Sequence, residues 1–92
     1  MEIRFFAYIR DYTGTKKVAW PEPAADLAEL LHQLSRKYGT KFRDAVFDQS
    51  LTELNAEIII LINGRHVQHL DGIRTKLTAT DLISIFPMVA GG

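Results

Sequence analysis

The sequence has no cysteine, only three prolines and one tryptophan in 92 residues, and no excess of charge of either sign. Without cysteine, disulfides, thiolate metal ligands and a cysteine nucleophile are all excluded. Eleven Lys and Arg balance eleven Asp and Glu. That argues against holding nucleic acid or an anionic membrane by bulk charge, since both require a net positive face. A local basic patch stays open. The longest apolar run, Ile58 to Ile62, is far too short to cross a bilayer. The opening Met1-Glu2-Ile3-Arg4 lacks the basic region and apolar run of a signal peptide, so a cytoplasmic protein is expected. What is present, 47% hydrophobic and 24% charged residues, is ordinary for one small folded domain.

Residues 3 to 9 alternate. Ile3, Phe5, Ala7 and Ile9 point one way and Arg4, Phe6, Tyr8 and Arg10 the other, the period of a strand buried on one face. Asp11 to Thr15 reads as a turn, Lys16 to Trp20 as a returning strand, and Pro21 and Pro23 end it. Leu27, Leu30, Leu31, Leu34 and Tyr38 then fall on one helical face, with Gly39 as its C-terminal stop. Asp26 and Glu29 sit in its first turns and Arg36 and Lys37 in its last, while Pro23, Ala24 and Ala25 offer no capping side chain. A second, weaker helix covers Lys41 to Phe47, and Asp48 to Asn55 reads as a loop. Glu57 to Ile62 is a strand apolar on both faces, Asn63-Gly64 a tight turn, and Arg65 to Val67 a short return. Leu82 to Phe86 is the last strand, stopped by Pro87.

Strand, strand, helix, short helix, strand, short strand, strand: one main helix across one face of a mixed sheet buries every apolar stripe at once. That is an α+β arrangement, the β-grasp or ubiquitin-like fold. It divides the chain into a domain of residues 1–86 and a flexible tail of residues 87–92.

Little in the sequence points to a self-contained enzyme. His66 and His69 are three apart but fall on a strand end and an irregular segment, and no ligand spacing for a metal is completed. There is no nucleophile elbow and no glycine-rich phosphate loop. The ending is different. Pro87-Met88-Val89-Ala90-Gly91-Gly92 is apolar where a frayed terminus is usually polar. Glycine lets a backbone pass through a channel that a side chain would block. A carboxylate there becomes an acyl donor once it is adenylated. By parity, Phe6 and Tyr8 face away from the helix, as does Phe86, so Phe6 and Phe86 form an apolar patch beside the tail of the kind that marks an interface.

The opening Phe5-Phe6-Ala7-Tyr8-Ile9-Arg10, the helix start Asp26-Leu27 with Leu30-Leu31, the turn Ile62-Asn63-Gly64 and the ending Phe86-Pro87 to Gly91-Gly92 resemble the small subunit of molybdopterin synthase over the whole chain. The resemblance implies a sulfur carrier with no tightly bound cofactor. An adenylyltransferase related to ubiquitin activators would use ATP to activate Gly92, and sulfur transfer would make it a thiocarboxylate. Gly91 would give the tail steric passage. The partner would be the large synthase subunit, met through Phe6, Tyr8, Phe86, Pro87, Met88, Val89 and Ala90, where sulfur passes to the pterin precursor of the molybdenum or tungsten cofactor. Carriers for cysteine or thiamin synthesis, and a ubiquitin-like modifier joined to lysines, share the same ending.

Overall fold

In the computed structural model, which describes residues 1–88, the chain opens with strand β1 (Glu2–Phe5) and turns at once into helix α1 (Tyr8–Thr13). Strand β2 (Lys17–Ala19) returns antiparallel to β1. Helices α2 (Leu27–Tyr38) and α3 (Thr40–Val46) follow, joined by Gly39 at φ +99°. Strands β3 (Ile58–Ile62) and β4 (Arg65–His66) form a hairpin, two short 3₁₀ turns bridge Val67–His69 and Gly72–Arg74, and β5 (Leu82–Pro87) ends the sheet. The strand order is β2-β1-β5-β3-β4. β1 and β5 run parallel, Phe5 opposite Ile85, and every other pairing is antiparallel. The β-grasp arrangement expected from the sequence is the one observed.

Ile3 and Phe5 of β1, Ile58, Ile60 and Ile62 of β3, and Ile83 and Ile85 of β5 form the inner face of the sheet. Leu27, Leu30, Leu31 and Leu34 of α2 pack over them, with Phe42 and Val46 of α3 closing one end. Burying a side chain of this size stabilises by roughly 1.5–3 kcal/mol. The Phe5 ring meets Tyr38 edge-on at 5.7 Å and Phe42 at 6.1 Å, which ties β1 to both helices. Trp20 Nε1 donates to Gln33 Oε1 at 2.8 Å, and Gln33 Nε2 donates to the Pro23 carbonyl at 2.9 Å, so the buried amide is satisfied at both ends.

Three expectations need correction. The first strand stops at Phe5 instead of running to Ile9. Ala7 takes φ 52° and ψ −137°, a conformation that reverses the chain, and residues 8–13 coil into α1. Ile9 still reaches the core, but from a helix. Secondly, Asp26 is the N-cap of α2 and not a first-turn residue: it accepts the Glu29 N–H at 2.9 Å, while Glu29 accepts the Ala25 N–H at 2.8 Å. Thirdly, Pro87 does not stop β5. It pairs with Ile58 and is buried, so the domain runs past residue 86.

The geometry shows why proline is tolerated there. Phe86 faces Ile59 and the Met88 N–H bonds to the Glu57 carbonyl at 2.7 Å, so the hydrogen-bonded pairs with β3 flank position 87. The missing Pro87 N–H falls on the β1 side, where the Phe6 carbonyl is already taken by the Ile9 N–H at 3.2 Å.

Candidate functional site

The outer face of the sheet carries no helix. Register places Lys17, Arg4, Ser84, Leu61 and His66 in one row across it, and Phe86 beside Ile59 in the next, towards the end of β5. Phe6 continues β1 by one residue, its N–H bonded to the Ile85 carbonyl at 3.1 Å. That bond holds its ring against Phe86, 5.8 Å between centroids and near perpendicular at 81°. Phe6, Ala7, Leu61, Ser84, Phe86 and Pro87 line an apolar groove of about 410 Å³. Further back along β1 the Arg4 guanidinium lies 2.6 Å from Glu2 and holds that exposed carboxyl below its ordinary range.

Among the described residues, three large hydrophobic side chains are exposed: Phe6 at 38%, Tyr8 at 41% and Met88 at 54%. Phe6 and Met88 lie where β5 leaves the sheet, and Tyr8 opens α1 two residues after Phe6. Exposed apolar side chains are what a protein interface presents. The expected pairing of Phe6 with Phe86 is therefore observed, and Phe6 is not covered by the chain's own loops. Tyr8 is placed differently. Because it sits on α1, its ring turns from the groove to meet Tyr12 at 5.9 Å, over a separate depression with Lys41, Asp44, Ala45 and Asn55. Val89, Ala90, Gly91 and Gly92 lie outside the described residues.

Sequence reasoning missed Ala7, Leu61 and Tyr12. Leu61 was visible as one of the outward members of the doubly apolar run Ile58 to Ile62, since alternate residues of any strand must face the uncovered side. No group of three or more possible metal ligands occurs among the described residues. His66 Nδ1 is occupied by the Gln68 N–H at 3.0 Å, and His32 stacks on Phe47 with centroids 4.5 Å apart. No helix among the described residues is long and apolar enough to cross a membrane.

The model of the ThiS family matches residues 3–92. The chain belongs to the ThiS family. Within reach of this ThiS-family chain is the small archaeal modifier protein 3 of Haloferax volcanii, 37% identical over 93 residues, which span 100% of this chain and 98% of that one. The solution structure of small archaeal modifier protein 1 from Methanosarcina acetivorans superposes with a TM-score of 0.81 at 30% identity, covering 99% of this chain and 94% of that one. A chain of the Amycolatopsis orientalis BexX/CysO complex shares the fold, with a TM-score of 0.80 at 22% identity over 99% of this chain and 98% of that one. These likenesses reach the family and its ubiquitin-like fold, and stop short of the small subunit of molybdopterin synthase.

Proposed function

We infer that this ThiS-family chain is a ubiquitin-like sulfur carrier whose Gly92 carboxylate is the reactive group. The observation that carries the reading is the route of the chain. β5 runs buried through Pro87, emerges at the exposed Met88 beside an uncovered apolar groove, and leads directly into a sequence that ends Gly91-Gly92. A partner docked on the groove would have the tail at its own active site without searching for it.

The chemistry is acyl activation. An oxygen of the Gly92 carboxylate attacks the α-phosphorus of ATP, pyrophosphate leaves, and an acyl adenylate remains. A sulfur nucleophile held by the activating enzyme then attacks the acyl carbon and AMP leaves with its bonding pair. With an enzyme persulfide as that nucleophile the product is an acyl disulfide; a second thiol attacks its donor-side sulfur, a disulfide forms there, and the thiocarboxylate leaves with the S–S bonding pair. The carrier supplies the acyl group and its presentation, and the enzyme supplies the catalytic groups. The resemblance of the two chain ends makes the pterin precursor of the molybdenum or tungsten cofactor the proposed sulfur acceptor, with the large synthase subunit as the protein that holds it.

A second reading has a specific observation in its favour: the relative similar over its full length is named a modifier protein. The same acyl adenylate would then be attacked by a lysine amine, forming an isopeptide bond. Its test needs one adjustment. The last basic residue is Lys76, so trypsin would leave a branch of 16 residues, 92 − 76, on each target. An Ala90→Arg variant leaves Gly-Gly instead. Lysines carrying Gly-Gly in the host proteome, lost on deletion of Gly92, are expected if the chain is also a modifier. A thiocarboxylate without such lysines assigns it to sulfur carriage alone.

A further inference from the structure

The chain is neutral as a whole but not evenly so. From Leu30 to Arg43 it has Arg36, Lys37, Lys41 and Arg43 and no carboxylate, whereas Glu22, Asp26 and Glu29 gather at the other end of α2. Arg36 and Lys37 in the last turn of α2 suit the helix dipole, so stability accounts for them. It does not account for Lys41, which stands in the first turn of α3, where the dipole favours acids and none is present. The only carboxylate paired with any of the four is Asp44, 3.0 Å from Arg43, among the described residues. Arg36 and Arg43 line one depression of about 330 Å³ with His32 and Thr40, while Lys41 lines the neighbouring tyrosine depression. Four cations have been collected on one corner, where Asp44 is the one carboxylate paired with any of them and Asp48 shares a depression with Arg43.

The position of that corner gives it a use. Tyr38 and Phe42, which bracket the α2–α3 turn, both touch Phe5, and Phe5 lies opposite Ile85 just before β5 leaves the sheet. The basic corner is therefore at the same end of the molecule as the root of the tail, on the helical face, with the apolar groove on the opposite face. A protein that receives the tail must surround this end and meet both surfaces.

We propose that the α2–α3 corner, through Arg36, Lys37, Lys41 and Arg43, is a second docking surface for the tail-receiving enzyme, which meets it with carboxylate side chains. The assignment rests on the carrier reading above and adds the sign of the partner's surface to it. The apolar groove holds the complex, and the basic corner speeds and orients its formation.

Two measurements test it with the full chain and the double variant Arg36→Glu/Lys41→Glu. Both side chains are exposed, so the fold is expected to survive. In ATP–pyrophosphate exchange by the activating enzyme, the wild-type KM for the chain should rise with salt. The variant's KM should already be raised roughly ten-fold at low salt and be nearly independent of salt, with kcat unchanged. Equal KM values and salt slopes for the two chains would overturn the proposal. The second readout needs no enzyme. Hexaglutamate titrated into isotope-labelled chain should shift amides of residues 32–43 and leave those around Lys16 and Lys17 unmoved, and the variant should not respond. Absence of those shifts, equal shifts at Lys16 and Lys17, or a stronger response to an oligoribonucleotide would also overturn it. If the wild-type chain supports no exchange at all, the carrier reading fails, and the peptide titration alone then decides whether the corner binds an acidic protein surface.

Discussion

Phe6 and Phe86 lie on neighbouring parallel strands with their rings 5.8 Å apart and almost perpendicular, locked by the bond from the Phe6 N–H to the Ile85 carbonyl. The pair sits on the uncovered face of the sheet, one residue before the buried Pro87. Two edge-to-face aromatics turned to solvent add little to a core that α2 and α3 already fill. Their place beside Pro87 and the exposed Met88 suits a binding surface.

Phe86→Asp puts a charge in the centre of that surface without touching the inner face. Circular dichroism should show the same fold, and calorimetric titration with the activating enzyme should show affinity reduced roughly ten-fold or more. Unaltered binding would remove the groove from the interface.

Ala7 holds a positive φ of 52° without being glycine. Such a conformation costs an L-residue of order 1–3 kcal/mol. Ala7→Gly relieves it but adds freedom to the unfolded chain, so a net gain of about 0.5–1 kcal/mol is expected. Ala7→Val, with a branched Cβ, should lose stability. Thermal unfolding of the two variants beside the parent checks the order. A parent more stable than both would contradict it.

Asp81 anchors the far end of the sheet. Burial pushes its carboxyl up, but the Thr78 N–H at 2.8 Å, the Asn63 amide at 2.9 Å, the Thr78 hydroxyl at 3.0 Å and the Met1 ammonium together hold it below the ordinary carboxylate range. A lowered value in the folded state means the contribution is complete above about pH 4 and is lost as pH falls through the folded value. Asp81→Asn should cost roughly 1–2 kcal/mol at neutral pH, with the difference from wild type shrinking in acid. Urea unfolding at several pH values measures it. A difference constant with pH would contradict the assignment.

Much of this was legible in the residues. The leucine spacing of α2, the doubly apolar β3 and the Asn63-Gly64 turn are dictated locally, the turn because both residues take positive φ, 52° and 83°. What could not be read was where local pattern and tertiary geometry part. Ala7 and Ile9 keep the alternation of a strand, and Ile9 also fits a helix that buries one side. Only the reversal at Ala7, made as Phe6 docks on β5, decides between them. Pro87 likewise reads as a stop until the pairing of both neighbouring strands is known. The aromatic pair was legible because parity survives in β1 and β5. Tyr8 leaves that parity because it stands on α1 and not on a continued β1.

The most direct test of the carrier role is the intact mass of the chain after incubation with host extract, ATP and a sulfur donor. The account predicts a species heavier by the difference between sulfur and oxygen, dependent on ATP and absent when Gly92 is deleted. A mass unchanged under all conditions, in an extract shown to charge a known sulfur carrier, would contradict it.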